Sequence, residues 1–438
     1  MTLWVGIDDT DSPRGGCTTF VLTELLALAA SHGLDLVGDP RLVRLNPNIP
    51  WRTRGNAALS ARFGRGRGTP RTVGEVGGRR LVSYPGGRSP DRATAEAFLE
   101  DAWTTVRASS REGEEGTDPA LVATERPLPA RLYRQAVQEV VAVEEVRREL
   151  EAIGAWTRTR GSDRGLVGAS ASIAWPGRRR TWELIAYRQP ARYGLRREVD
   201  VASVRAAQAA DPRLFLCFDP GTRRLLVAPH TPCPILFGLR GTDRSAPLRA
   251  RTRVRSEPVD RWVLFRTNQG TGDHLTPRRT GRWPPYGSGW VRGEVQGPVV
   301  ATRGGHVRFS VVPHDGPAIT CLAFEPTKLL PRVARELLPG DRVRVWGSRG
   351  EEPEIRLEGI ELLRWATAGP RRLPPRCLAC GRGTRSLGNL RGYRCPACHR
   401  RWPPEAAVRP PRVPLRPLGT YHPTPSARRH LAPLGPAE

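Results

Sequence analysis

Lysine is all but missing from this 438-residue chain: Lys328 is the only one, and every other member of its 70 basic residues is arginine. That absence excludes the phosphate-binding loop G-x-x-x-x-G-K-[ST], and it excludes lysine Schiff-base chemistry away from position 328. Long apolar runs are missing as well. None approaches 18 residues, so no transmembrane helix and no membrane partner are expected. The opening MTLWVGIDDTDS has neither the basic start nor the apolar core of a secretory signal, and the expected location is cytoplasmic. No internal repeat is visible. Carboxylates are few, 43 against 70 basic groups, and the resulting charge of +27 sets up a field suited to a polyanion, nucleic acid first.

Cysteines number eight. Cys17, Cys217, Cys233 and Cys321 stand alone, while the other four form two C-x-x-C pairs, a pattern of metal binding in a reducing compartment rather than of a disulfide framework. The length suits two to four domains at roughly 100 to 200 residues each. Local patterns predict a multidomain α+β protein. Residues 1–155 read as an α/β nucleotide-binding domain that opens with a strand over 3–7, a loop over 8–16 and a helix over 18–31. Residues 156–256 read as a second α+β domain ending in a polar linker over 241–257. Short strands between Gly/Pro turns over 257–369 predict a β-barrel of OB-fold type, an RNA-binding region. A four-cysteine ribbon over 370–402 and a Pro/Arg-rich tail with no visible core over 403–438 complete the chain.

Two local constellations carry chemistry. Cys377-x-x-Cys380 and Cys395-x-x-Cys398 present four thiolates to one tetrahedral Zn²⁺, a closed site that folds a ribbon and leaves no catalytic position. Arg382, Arg385, Arg391, Arg394, His399 and Arg400 make the ribbon basic, which suits a nucleic-acid contact or a solvated face. At the other end, Asp8, Asp9 and Asp11 cluster hard oxygens fit for Mg²⁺, unless they only form a turn and cap the next helix. Gly15 and Gly16 permit close backbone approach, and the helix from Thr18 presents N–H groups to a phosphate. Together these are parts of a Mg-nucleoside triphosphate site in which arginine replaces lysine, with Arg14, Arg44, Arg52 and Arg54 as candidates. Thr18 and Thr19 either cap the helix or relay a phosphoryl group. In the predicted barrel, Trp262, Phe265, Trp283, Tyr286, Trp290, Phe309, Phe324 and Trp346 are mostly core, and two or three exposed rings would suffice to stack bases. Residues alone therefore point to an ATP-using enzyme with an RNA-binding C-terminal half.

The ordered motifs VGIDDTDSPRGGCTT (5–19), RLVRLNPNIPWRTRGN (41–56), GLVGASASIAW (165–175), APHTPCPILFGLRG (228–241), FRTNQGTGDHL (265–275), GDRVRVWGS (340–348), the four-cysteine ribbon and PSARRHL (425–431) run almost end to end. In these the chain resembles the archaeal isoleucine-tRNA 2-agmatinylcytidine synthetase family. The resemblance implies a threonine-kinase-like nucleotide domain, a ferredoxin-like domain, an OB-fold and a zinc ribbon. It also implies an ATP-dependent ligase that attaches agmatine to C2 of the wobble cytidine of the CAU-anticodon isoleucine tRNA. The cytosine C2 oxygen is phosphorylated, the agmatine amine displaces phosphate, and ATP ends as AMP with phosphate and pyrophosphate. Carried over by position, Asp8, Asp9 and Asp11 hold Mg²⁺ and triphosphate, and Thr18 is the autophosphorylated threonine. Gly15, Gly16, Arg52 and Arg54 are the expected phosphate contacts. Agmatine is expected near Gly165, Gly168 and Ser170, with Asp163, Glu183 or Asp118 as partner of its guanidinium. Ala120 stands where the family usually has glycine, which shifts the local geometry if that turn needs φ > 0. Rival readings are a tRNA-dependent kinase or nucleotidyltransferase, and a non-catalytic RNA-binding protein.

Overall fold

The opening strand, Leu3–Asp8, alternates with period two. Leu3, Val5 and Ile7 enter one core with helices Thr18–Ser31 and Arg92–Ser109. Trp4, Gly6 and Asp8 face the opposite side, where helices Ala130–Gln138, Val143–Ala152 and Gly165–Ala174 pack. Gly6 is needed for that approach: a Cβ there would lie 2.4 Å from the carbonyl oxygen of Ala169. The computed structural model describes residues 2–53, 55–111, 113–114, 116–367, 373–388, 391–408 and 411–435.

Leu3–Asp8 lies antiparallel between Ala57–Arg67 and Ala120–Thr124 in a twelve-stranded sheet. The sheet continues without a break into strands of the second region, Thr181–Arg188, Ile235–Gly241 and Val259–Thr267. Arg41–Arg44 stitches the two parts, pairing parallel with Val259–Thr267 and antiparallel with Ala57–Arg67. Beyond the sheet in the chain stand five strands closed into a barrel, Ser288–Ala301, Val307–Pro313, Ile319–Ala323, Arg342–Arg349 and Glu354–Arg364, shut by the parallel pair Ile319–Ala323 with Glu354–Arg364. Three two-residue strands at Arg385–Ser386, Tyr393–Arg394 and Arg401–Trp402 frame the ribbon.

Several expectations are corrected. The barrel does not begin at 257: Val259–Thr267 is a central strand of the large sheet, because Val263 and Phe265 fill one core while Trp262 and Leu264 fill another. The linker over 241–257 holds a helix, Ser245–Arg251, capped by Asp243 Oδ1, which accepts from Ser245 and Ala246 N–H. Within the first region a hairpin pairs Arg71–Val76 with Arg79–Tyr84, turning on Gly77 and Gly78 at φ of 58° and 72°. Residues 130–152 form two helices, Ala130–Gln138 and Val143–Ala152, with extended backbone at Glu139 and Ala142 between them. The tail does have a core: Leu431 and Ala432 are buried, and Leu431 belongs to the core shared with helix Gly165–Ala174. None of the eight aromatics assigned to the barrel is exposed; Tyr286, Trp290 and Phe324 are half-buried and the rest are core.

Candidate active site

Both halves of the large sheet contribute to one open cavity of about 700 Å³. Asp8, Asp9, Asp11, Thr18, Arg44, Arg52, Gly168 and Glu183 all line it, so residues scattered over 175 positions meet there. Asp8 ends the first strand on the face of helix Gly165–Ala174, and its carboxylate occupies the space left by Gly168, where a Cβ would fall 1.7 Å from Oδ2. The chain turns at Asp9 through left-handed backbone, φ 59°, and its N–H donates to Asp8 Oδ1 at 2.8 Å. Asp11 Oδ1 accepts from the Thr53 hydroxyl at 3.2 Å, and its carbonyl accepts from Thr117 at 3.0 Å.

Burial, then the neighbouring carboxylates Asp9 and Asp11, push Asp8 well above the usual carboxylate range. Burial with Asp11 and Asp118 pushes Asp9 up to about 7. Such a group is one that a divalent cation relieves by neutralising the repulsion. The carboxylates do not close a cation shell by themselves: among the described residues, only the four cysteines bring three or more ligand atoms within 4.8 Å of one another. Mg²⁺ characteristically takes one or two carboxylates and completes its octahedron with phosphate oxygens and water, so this donor set fits it as a shared site.

Thr18 opens its helix with Cys17 in the N-cap position and no side-chain cap, leaving the positive end of the helix on the cavity. The Thr10 hydroxyl donates to Thr18 Oγ1 at 3.1 Å. Cys17 also lines the cavity, but burial raises its thiol to about 11, so it presents no thiolate at neutral pH. At the far wall, buried Glu183 accepts from Arg240 Nε at 3.0 Å, lies 3.6 Å from Arg44, and accepts from the Gln269 amide.

The remaining expected site residues divide. Gly16 adopts φ 75° and Gly15 lies beneath Arg111, 2.7 Å from where a Cβ would stand; neither lines the cavity. Arg14 is exposed. Arg54 lies outside the described residues. Gly165 packs on Ala120 and the carbonyl of Asp118, and Ser170 is wholly buried, so of the three glycine and serine positions expected near agmatine Gly168 alone lines the cavity, beside Val167. Asp163 is engaged by Arg147 and Thr159, and Asp118 by Ser162. The sequence reading missed Arg164, Cys233, Arg240 and His430, which also line the cavity. Arg164 stacks on the exposed Trp51 ring at 4.3 Å, forming part of the rim. The motifs over 41–56, 228–241 and 425–431 contained Trp51, Cys233, Arg240 and His430 without indicating their direction.

In the ribbon, Cys377 and Cys398 sulfurs lie 3.4 Å apart, Cys380 and Cys395 3.5 Å, and Cys380 and Cys398 3.8 Å. A tetrahedral ion with Zn–S of about 2.3 Å places its sulfurs about 3.8 Å apart, so the four fit one ion. Backbone N–H groups of Cys398 and Ala397 help draw the Cys395 thiol down to about 6, favouring the ligating thiolate.

Residues 4–160 match the family model described as the TiaS TCKD domain, residues 163–274 the TiaS FLD domain, and residues 374–413 the TiaS C-terminal zinc ribbon domain. The chain is 35% identical over 437 residues to the isoleucine-tRNA 2-agmatinylcytidine synthetase TiaS of Archaeoglobus fulgidus, covering 99% of this chain and 96% of that one. The chain belongs to the isoleucine-tRNA 2-agmatinylcytidine synthetase family. A second member, from Methanosarcina mazei, is 33% identical over 441 residues, covering 98% and 96%. Among solved structures, the complex of TiaS with its isoleucine tRNA and ATP is 32% identical with a TM-score of 0.83, covering 99% of this chain and 96% of that one. The complex of TiaS with the same tRNA, AMPCPP and agmatine is 30% identical with a TM-score of 0.80 and the same coverage. No helix among the described residues of this synthetase-family chain is long and apolar enough to cross a membrane.

Proposed function

We propose that this protein is an ATP-dependent ligase that joins agmatine to C2 of the wobble cytidine of a CAU-anticodon isoleucine tRNA. The observation that carries the reading is the cavity itself, where an acidic loop, an uncapped helix start and arginines from three separate segments meet in a chain that also holds a barrel and a basic ribbon. A carbonyl oxygen of cytosine is a poor leaving group against an amine. Phosphorylation turns it into phosphate, which departs with both C–O electrons as the amine nitrogen bonds to C2 and loses a proton. One ATP contains three phosphorus atoms, so AMP leaves two. The expected set of AMP, phosphate and pyrophosphate is therefore corrected to AMP and two phosphate equivalents, with one water consumed.

Asp8 and Asp11 would hold Mg²⁺ against the triphosphate, where it supplies charge neutralisation, and Arg52 would pair with phosphate. Thr18 is the acceptor for autophosphorylation, since a phosphate at that position gains the helix N-terminus. The target base leaves its stack to enter the cavity, with Trp51 at the rim as a stacking surface. In this reading the first region is a threonine-kinase-like domain, the second ferredoxin-like and the barrel an OB-fold. Zn²⁺ is held by Cys377, Cys380, Cys395 and Cys398, and the protein works in the cytoplasm.

The test is incubation with that tRNA, ATP, Mg²⁺ and labelled agmatine. Label at the wobble cytidine with AMP formed supports the ligase. AMP or ADP formed without label in the RNA indicates a kinase or nucleotidyltransferase, and salt-sensitive tRNA binding with no ATP consumption indicates a binding protein. Gly168→Ala, which drives a methyl group into the Asp8 carboxylate, is expected to lower turnover about 100-fold with tRNA affinity unchanged, read by label transfer and filter binding.

A further inference from the structure

The end of the chain crosses three bodies. Gly419–Tyr421 adds a strand to the edge of barrel strand Glu354–Arg364. Ser426 N–H donates to Asp219 Oδ2 of the second region at 3.0 Å. Arg429 bonds Asn48 of the first region and lies 3.2 Å from Glu358 of the barrel, a buried carboxylate that also meets His274 Nε2 at 2.9 Å. The carbonyls of His430 and Leu431 then accept from Gly270 and Gly272 N–H at 2.8 and 2.9 Å. Gly270 has φ 73°, and a Cβ there would lie 2.7 Å from Leu434, so this loop is shaped to receive the strap.

The docking delivers His430 to the cavity. Its neighbour Leu431 is core, whereas the His430 ring borders the open space that it lines. Nδ1 lies 3.1 Å from Gln269 Oε1. Because the Gln269 amide nitrogen donates to Glu183, its oxygen is the acceptor, and Nδ1 must carry the proton. The neutral ring therefore has an unprotonated Nε2, which is an acceptor. Arg44 and burial, with Arg240, hold the imidazole well below its usual range, keeping it neutral at physiological pH.

This end of the cavity has two guanidinium groups, Arg44 and Arg240, against one carboxylate, Glu183. The surplus positive charge disfavours a cationic donor such as an ammonium or guanidinium and suits a neutral N–H. Exocyclic amines of nucleobases are neutral donors of this kind. Guanine and uracil carry a carbonyl oxygen in place of the adenine or cytosine amine, and its lone pairs would face the lone pair of Nε2.

We propose that His430, positioned by the C-terminal strap, is a specificity-determining residue whose Nε2 accepts from the exocyclic amine of a nucleobase seated in the cavity. The inference rests on the ligase reading for the two bases available, adenine of ATP and the target cytosine. The test compares the full-length wild type, His430→Ala and His430→Gln with ATP or GTP, and with tRNA carrying C or U at the wobble position. His430→Ala should lower one discrimination ratio in kcat/KM, ATP over GTP or C over U, at least roughly tenfold, the worth of one hydrogen bond to a desolvated acceptor. A fall in the first ratio identifies adenine as the donor and a fall in the second identifies cytosine. His430→Gln, whose side-chain oxygen accepts, should recover part of the lost ratio. Both ratios unchanged overturns the inference whatever happens to the absolute rates, because a residue that only anchored the strap would slow all substrates alike. If the wild type transfers no label, the ligase reading falls instead. The same ratios taken from equilibrium binding of non-hydrolysable ATP and GTP analogues, and of the two tRNAs, then decide the inference separately.

Discussion

Asp8→Asn is expected to abolish agmatine transfer, lowering kcat by about 1,000-fold, while tRNA affinity stays within about twofold of wild type. The substitution is nearly isosteric, so the side chain still fits over Gly168 and the strand–helix contact that seats it is kept. What is lost is one negative charge at the position where the proposed cation and triphosphate meet. In a partly desolvated cavity that charge is worth far more than on a surface, whereas the groups proposed to meet the tRNA phosphates are the basic side chains of the ribbon, away from Asp8. Label transfer under single-turnover conditions, with filter binding beside it, separates the two quantities. Retained turnover in Asp8→Asn would reduce the acidic loop to a capping turn and sink the assignment of Asp8 to chemistry.

Cys395→Ser is expected to cost the ribbon its metal and its fold. Four thiolates supply on the order of 10 kcal/mol or more of binding free energy to such a site, and that energy is the folding free energy of a segment with almost no apolar core. Among the four ligands only Cys377 and Cys395 are buried, and large apolar side chains nearby, such as Leu378 at 85%, are exposed. Metal analysis should fall from one zinc per chain to none, and proteolysis should then cut within 374–402. The barrel and the large sheet have separate cores and should melt as before. Because the ribbon is basic, tRNA affinity should drop about tenfold, with a smaller dependence on salt. A variant that still binds one zinc per chain would contradict the four-cysteine assignment.

Much of this was legible in the residues. The short run over 3–7 located the opening strand to within one residue of its end at Asp8, the C-x-x-C spacing identified the ribbon ligands, and the glycine-bounded apolar run found the first helix. Those signals are local, and each depends on neighbours within a few positions. The error at Val259–Thr267 has the opposite origin: a strand buried on both faces looks alike in a barrel and in the middle of a sheet, and only its partners, Thr181–Arg188 and Arg41–Arg44, tell the two apart. Asp163 and Asp118 do not line the cavity, and arginine and serine side chains of distant segments engage them, a pairing that no local pattern shows.

The order of motifs, the near-absence of lysine, the three carboxylates and the four thiolates are properties of the sequence alone, because charge, donor type and short-range spacing survive without a fold. The tertiary structure decided which arginines reach the cavity, why a side chain at position 168 would displace the Asp8 carboxylate, and that a proline-rich tail returns to place His430 in one cavity with Cys17, Gly55 and Glu183. Such meetings are set by sheet register and by the docking of distant backbone groups on Gly270 and Gly272, and no local pattern encodes them.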